Sequence, residues 1–207
     1  MKALSNFIAP IITLSVAVVF CVVYWAAPLS ATNNDLFWVL VLSEPLAGEA
    51  LFTEPWRWLT AHFVHTNLNH LIWNCGAWLL LAWVIESRNR AQLVFASVAG
   101  AAGVCLWFFY FNNQFNYYAG ASGMLNALFV VALNLSRQFL SNALVAVIGL
   151  GAVAKIGYEI SVQTSLVGDA AWPPTPAAHL AGFIAGLLVV IAAEIVKQVA
   201  DSTAGKP

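Results

Sequence analysis

Charged side chains are scarce in this sequence. Only 8% of its 207 residues are Asp, Glu, Lys or Arg, while 61% are hydrophobic and the mean hydropathy is +0.82. A soluble domain carries about a quarter charged residues, so a soluble globular protein of this size is excluded. The formal net charge of −1 provides no basic excess, and no nucleic-acid partner is expected. The composition therefore predicts an integral membrane protein that contacts the lipid bilayer.

Cysteines are also few and odd in number: Cys21, Cys75 and Cys105 all lie inside apolar runs. This pattern disfavours a disulfide framework and is typical of small buried hydrophobic residues. The pair His62 and His65 lacks the intervening Glu of a zinc-protease helix and has no neighbouring Cys. We therefore expect neither metal catalysis nor a cofactor, and we expect His65 to brace a loop.

Long apolar runs dominate what remains, and a helix needs about 20 such residues to cross a bilayer. The sequence predicts an all-α, polytopic bundle of six transmembrane helices within one domain, residues 1–199, followed by a polar tail, residues 200–207. The predicted spans are residues 8–27, 67–86, 91–111, 120–135, 141–160 and 177–199. The first run is long for a signal peptide and more spans follow it, which favours a retained helix. The fourth span is short for a full crossing and is expected to lie partly inside the bundle.

Orientation follows from the distribution of Lys and Arg, which concentrate on cytoplasmic loops. Placing both termini in the cytoplasm puts six cations inside and two, Arg57 and Lys155, outside. Residues 29–66 then form an outer loop whose apolar piece, Leu36–Leu42, is too short to span and is expected at the membrane interface.

Under this topology the second, fourth and sixth spans all run from the outer to the inner face. His70, Ser122 and His179 lie near the starts of these three spans, so one outer layer contains all three. Asn74 lies one turn below His70 on the same helix face. Polar groups in hydrocarbon are costly, which makes each of them a candidate site residue.

These residue types suit acyl transfer. A serine hydroxyl needs a base within hydrogen-bond reach, and His is the natural base near neutral pH. A helix N-terminus at Ser122, together with Asn74 and His70, can supply donors for an oxyanion. Gly120 and Gly123 allow a sharp turn and close approach of a peptide.

Structural interpretations compete with this one. Gly-x-Ser-Gly, and the spacing of Gly182 and Gly186, are both typical of close helix packing in membranes. His70 alone fits a satisfied interfacial histidine, and Asn74 alone fits a bond to a neighbouring helix. The agreement of four polar groups at one depth favours the catalytic interpretation. No Asp or Glu is assigned to this layer, so His179 is expected to be oriented by packing.

The sequence contains the motifs Trp56-Arg57, His70-Leu-Ile-Trp-Asn74, Glu86-Ser-Arg88, Gly120-Ala-Ser122-Gly123 and Ala178-His179-Leu-Ala-Gly182-Phe-Ile-Ala-Gly186. In these motifs and their order, the sequence resembles the rhomboid family of intramembrane serine proteases. The resemblance implies Ser122 as nucleophile, His179 as base, and His70 and Asn74 in the oxyanion hole. It also implies a Ser–His dyad without an acid.

One position departs from the family pattern. Rhomboids often have a Tyr four residues after the serine, where this chain has Asn126. Two alternatives remain open for the Asn126 amide: a hydrogen bond to His179, or a place in the wall of the substrate pocket.

The small size and the stretch Lys155-Ile-Gly-Tyr-Glu159, late in the fifth span, resemble the rhombosortase branch. That resemblance implies cleavage of C-terminal Gly-Gly membrane anchors from secreted proteins, at the periplasmic side of a bacterial inner membrane. Alternatives are a general rhomboid protease of other single-span proteins, or an inactive relative that binds membrane proteins. A transporter is disfavoured because charged residues are nearly absent from the midplane. The sequence does not indicate an oligomeric state, or whether water or an amine resolves the acyl-enzyme.

Overall fold

A computed structural model describes residues 10–26, 38–42, 53–111, 115–166 and 175–204. Within these ranges the chain is almost entirely helical. The helices are α1 (Ile11–Ala26), α2 (Arg57–Thr60), α3 (Leu68–Glu86), α4 (Arg90–Phe111), α5 (Ser122–Ser136), α6 (Asn142–Val162) and α7 (Pro176–Ala204). Two short strands, β1 (Leu40–Val41) and β2 (Tyr117–Tyr118), complete the described elements.

Local signals account for several helix ends. The Asn67 side chain accepts a hydrogen bond from the backbone N–H of His70 at 2.8 Å and so caps α3. The Ser141 hydroxyl does the same for α6, accepting from the N–H of Leu144 at 3.2 Å. Pro176 opens α7, where its missing N–H costs nothing. α6 ends where Gln163 adopts the left-handed conformation, with φ 53° and ψ 38°.

Helix α5 forms the centre of the bundle and packs against α3, α4 and α7. More than half of its residues are buried, whereas α6 buries only Ile156 and Glu159. The 15 residues of α5 make it shorter than its neighbours. A short, enclosed helix of this kind is what the fourth apolar run predicted, and it places the first turn of α5 inside the protein.

Four helices, α3, α4, α6 and α7, are long and apolar enough to cross a membrane. α1 and α5 are apolar but shorter, at 16 and 15 residues. The all-α, polytopic fold is therefore confirmed, while six crossings stay a prediction. α7 continues through Ala204, into the segment predicted to be a tail.

The strands β1 and β2 were not predicted. They pair antiparallel, with Leu40 opposite Tyr118 and Val41 opposite Tyr117. Within the apolar piece Leu36–Leu42, residues 38–42 thus join the protein through a strand, and the first two residues lie outside the described ranges. This ladder ties residues 40–41, between α1 and α2, to the segment that leads into α5.

The opposite end of the bundle is held by Glu86, whose side chain is fully buried. Its carboxylate accepts hydrogen bonds from the N–H of Ile12 at 3.0 Å and from the N–H and hydroxyl of Thr13, both at 2.8 Å. Arg90 lies 3.3 Å from the same carboxylate. Glu86 therefore caps α1, and Arg88 instead donates to the carbonyl of Val84 at 2.7 Å.

Candidate active site

Ser122 is the first residue of α5, directly after a tightly held loop. The Gly120 N–H donates to the carbonyl of Ala61 at 2.8 Å, which pins the loop to the turn after α2. The Tyr118 hydroxyl donates to the Gly120 carbonyl at 2.8 Å. Burial raises the pKa of Tyr118, so its hydroxyl stays protonated and remains a donor.

Gly120 has a φ of +121°, a backbone conformation that residues with a Cβ rarely adopt. A Cβ at this position would lie 2.5 Å from Cε1 and 2.7 Å from Nε2 of His70, and 3.6 Å from the Asn74 amide nitrogen. Gly120 is therefore needed both for the turn and for the approach of the His70 ring. The two side chains of the His70–Asn74 motif converge on the peptide that precedes Ser122.

Both members of that motif present a side-chain nitrogen toward this region. His70 Nδ1 contacts the Thr66 hydroxyl at 3.2 Å, which leaves its Nε2 edge facing Gly120. The Asn74 amide nitrogen is buried and has no hydrogen-bond partner among the described residues. A buried donor without a partner lowers the stability of the folded state, as is typical of a site that binds an acceptor from another molecule.

The Ser122 hydroxyl oxygen lies 3.0 Å from His179 Nε2. Ser122 starts α5 and His179 lies in the first turn of α7, 57 residues further along the chain. With His70 in the first turn of α3, the N-terminal ends of three helices share one end of the bundle. The polar layer predicted near the starts of these spans is therefore brought together in space.

The expectation that packing alone orients His179 is wrong. His179 Nδ1 lies 3.0 Å from Oε2 of Glu159, whose side chain is fully buried in the last turn of α6. Because α6 runs opposite to α3, α5 and α7, its C-terminal end lies level with their N-terminal ends. The sequence predicts Glu159 near the outer end of the fifth span, but no local pattern connects it with the histidine.

Asn126 lies one turn below Ser122 and donates from its amide to the Ser122 carbonyl at 2.9 Å. It also lines a cavity of about 270 Å³ between α3, α5 and α6, together with Asn74, Ser122, Lys155 and His179. The amide therefore bonds the Ser122 carbonyl rather than His179, and Asn126 lies in the wall of this cavity. Large apolar side chains, Trp73, Leu81 and Phe129 among them, form much of the remaining wall.

Gly123, after Ser122, and Gly182, after His179, lie where α5 and α7 pack against each other. A Cβ on Gly182 would overlap the carbonyl oxygen of Gly123 and lie 2.7 Å from its carbonyl carbon. The backbones of α5 and α7 therefore meet directly, one turn below the contact between Ser122 and His179. For Gly123 and Gly182 the packing interpretation and the site interpretation are compatible, since this contact sets the distance between the two reactive side chains.

His62 and His65 lie outside the polar cluster and are buried. His62 stacks edge-on with Tyr118, at 5.5 Å between ring centroids, and contacts the Cys105 sulfur at 3.7 Å. His65 packs between the rings of Phe20 and His70, as expected of a residue that braces the loop. Burial lowers the pKa of His62 to about 4 and that of His65 to about 3, so both are neutral at pH 7.

The fold and site together define a class: a helical membrane protein in which a serine hydroxyl lies within hydrogen-bond distance of a histidine ring at one end of the bundle. Residues 53–193, more than half of the chain, match the Rhomboid domain family. The chain belongs to the rhomboid family. Members of this family are in general intramembrane serine proteases, although inactive members exist. Comparison with individually curated proteins gives no match.

Proposed function

We propose that this protein is a serine endopeptidase that cleaves membrane-anchored proteins near the outer face of the membrane. The observation that carries the proposal is the 3.0 Å contact between Ser122 Oγ and His179 Nε2 beside a cavity of about 270 Å³. An inactive relative that only binds proteins has no need for a base at this distance from a hydroxyl. The distance lies within hydrogen-bond reach, as nucleophilic catalysis requires.

The reaction follows from the placement of donors and acceptors. His179 Nε2 takes the proton of Ser122 as its oxygen attacks the scissile carbonyl, and the electron pair of that carbonyl moves onto its oxygen. The Asn74 amide, the His70 ring and the N–H at the start of α5 stabilise the oxyanion. His179 then gives the proton to the leaving amine, and water or another amine releases the acyl group.

The membrane arrangement extends the same proposal. We place six crossings in the bilayer by counting the shorter α1 and α5, with both termini in the cytoplasm. The greater number of Lys and Arg residues on that side supports this orientation. The cluster around Ser122 then faces the periplasm of a bacterial inner membrane.

The substrate class is proposed from the resemblance to rhombosortases at Lys155 to Glu159. We infer that substrates are secreted proteins anchored by a C-terminal Gly-Gly, an apolar helix and a basic tail. A Gly-Gly pair lets a helix unwind easily, and its lack of side chains suits a cavity walled by Trp73, Leu81 and Phe129.

The test uses the full chain in liposomes with two single-span substrates that differ only at the cleavage region. One contains Gly-Gly before its apolar helix, and the other contains Leu-Leu. We expect cleavage of the Gly-Gly substrate, none after Ser122→Ala or His179→Ala, and covalent labelling of Ser122 by a fluorophosphonate. Equal cleavage of both substrates would refute the Gly-Gly preference and favour a general rhomboid protease. Unchanged cleavage by Ser122→Ala would refute the serine mechanism.

A further inference from the structure

A buried carboxylate occupies the far side of the catalytic histidine. Oε2 of Glu159 lies 3.0 Å from His179 Nδ1, while the Ser122 hydroxyl lies 3.0 Å from Nε2. We propose that Glu159, held in place by Lys155, is the positioning residue of a Ser122–His179–Glu159 triad. This inference rests on the proposed function, because it assigns a role within the same reaction.

The contact decides which ring nitrogen of His179 bears the proton. An ionised carboxylate can only accept hydrogen bonds, so Nδ1 must be the donor toward Glu159. Nε2 then presents its lone pair to the Ser122 hydroxyl, which is the arrangement that a general base needs. The opposite tautomer would place a hydrogen on Nε2 and prevent it from accepting the serine proton.

The same contact acts after proton transfer. When the Ser122 oxygen bonds to the scissile carbon, its proton moves to Nε2 and the ring becomes a cation. Glu159 faces that cation from the Nδ1 side, and His70 and Lys155 are the other ionisable groups near it. When the peptide C–N bond breaks, the Nε2 proton passes to the leaving nitrogen and the ring is neutral again. Glu159 keeps its charge throughout and takes no proton.

Lys155 explains how a carboxylate can be retained at this position. Its ammonium lies 2.7 Å from Oε1 of Glu159, one turn back on the same helix. The backbone N–H of Leu166 donates to the same oxygen at 2.9 Å. The left-handed turn at Gln163 reverses the chain so that Leu166 returns to Glu159. The carboxylate therefore has three donors, which offset the cost of burying its charge.

A structural role is the rival explanation, since Glu159 is one of two buried residues in α6 and also ties that helix to α7. The two explanations differ in what they predict for kcat. A tether that fails would loosen the whole site and raise KM together with any loss of kcat. Loss of tautomer control would lower kcat while KM changes little.

The experiment compares Glu159→Gln, Glu159→Asp, Lys155→Gln and the double variant Lys155→Gln/Glu159→Gln. Glu194→Gln, an exposed glutamate on α7, is the matched control. For each purified full-length protein the measurements are kcat and KM on the Gly-Gly substrate, the rate of fluorophosphonate labelling, and the thermal unfolding midpoint. Ser122→Ala gives the background.

We expect Glu159→Gln to lower kcat by roughly 10²- to 10⁴-fold, with KM changed by less than about threefold, because an amide can hold the wrong tautomer. Labelling should slow in parallel, since it needs the same activated serine. Glu159→Asp should recover part of the rate. Lys155→Gln should cost about tenfold, and the double variant should be no worse than Glu159→Gln, because both act through one carboxylate.

Three results would overturn the triad. One is a Glu159→Gln rate within about threefold of wild type. Another is a loss of kcat matched by an equal rise in KM and by a lower unfolding midpoint. The third, which applies even if Glu159→Gln fails to fold, is wild-type labelling and kcat in both Glu159→Asp and Lys155→Gln. In each case Ser122→Ala remains inactive and the protease stands, whereas Ser122→Ala activity equal to wild type would remove the proposed function itself.

Discussion

The contact between Gly123 and Gly182 makes a quantitative prediction about catalysis. In a Gly182→Ala variant, the new Cβ would lie 2.7 Å from the Gly123 carbonyl carbon, where ordinary contact begins at 3.4 Å. The facing atoms are backbone on both sides, so no side chain can move aside. The carbonyl carbon alone therefore requires the ends of α5 and α7 to separate by about 0.7 Å, and the overlap with the Gly123 carbonyl oxygen makes this a lower bound.

That displacement acts directly on the reactive pair. Adding at least about 0.7 Å to the present 3.0 Å between Ser122 Oγ and His179 Nε2 gives about 3.7 Å or more, which is too long for a hydrogen bond. A misplacement of about 1 Å can cost about 10²-fold in rate. We expect Gly182→Ala to lower kcat/KM by about 10- to 100-fold and to reduce the free energy of unfolding by about 1–3 kcal/mol through overpacking.

The assay is cleavage of the anchored substrate, with the thermal unfolding midpoint measured on the same preparation. Gly151→Ala is the matched control, because a Cβ there would meet no atom within 4 Å. It should keep full activity and gain slightly in stability, since Ala favours a helix over Gly by about 1 kcal/mol. The reasoning is refuted if Gly182→Ala keeps kcat/KM within about threefold of Gly151→Ala.

Two further predictions concern stability. Replacing Glu86 with Ala should lower the free energy of unfolding by about 1–3 kcal/mol, because the N–H groups of Ile12 and Thr13 lose their acceptor. The value of kcat should not change, because Glu86 lies at the end of the bundle remote from Ser122. An unchanged chemical-denaturation midpoint would contradict this prediction. Acidification should destabilise the protein between pH 6.5 and about 3, because burial lowers the pKa of His62 to about 4 and that of His65 to about 3 in the folded state. The unfolded chain, by contrast, binds protons at both histidines from pH 6.5 downward. Each histidine contributes up to about 1.4 kcal/mol per pH unit, and a His62→Gln variant whose unfolding midpoint falls as steeply as that of wild type would contradict the assignment.

Helix positions follow from the sequence because apolar runs and caps are local. The run predicted over residues 67–86 is α3, Leu68–Glu86, and the run over 141–160 is α6, Asn142–Val162. Asn67 and Ser141 lie at the predicted starts and cap these helices through their own side chains. No distant contact is needed to find such ends.

The strand pair lies beyond local reasoning. Each strand, Leu40–Val41 and Tyr117–Tyr118, is two residues long, which is too short to show the alternating pattern of a strand. The two strands also lie more than 70 residues apart in the sequence. Tyr118 lies two residues before Gly120, the first residue of the Gly-Ala-Ser-Gly motif, and this proximity is the signal in the sequence for its role in holding the loop. Its hydroxyl donates to the Gly120 carbonyl at 2.8 Å.

The sequence by itself determined the class of protein, the helices and the polar layer that contains Ser122 and His179, because hydropathy and span direction set the depth of each residue. Only the tertiary structure decided that Glu159 faces His179. The predicted order and direction of the spans also give the depth of Glu159, near the outer end of the fifth span. Whether its side chain points to lipid or to the histidine depends on how α6 is rotated about its axis, and that rotation is set by packing against α5 and α7.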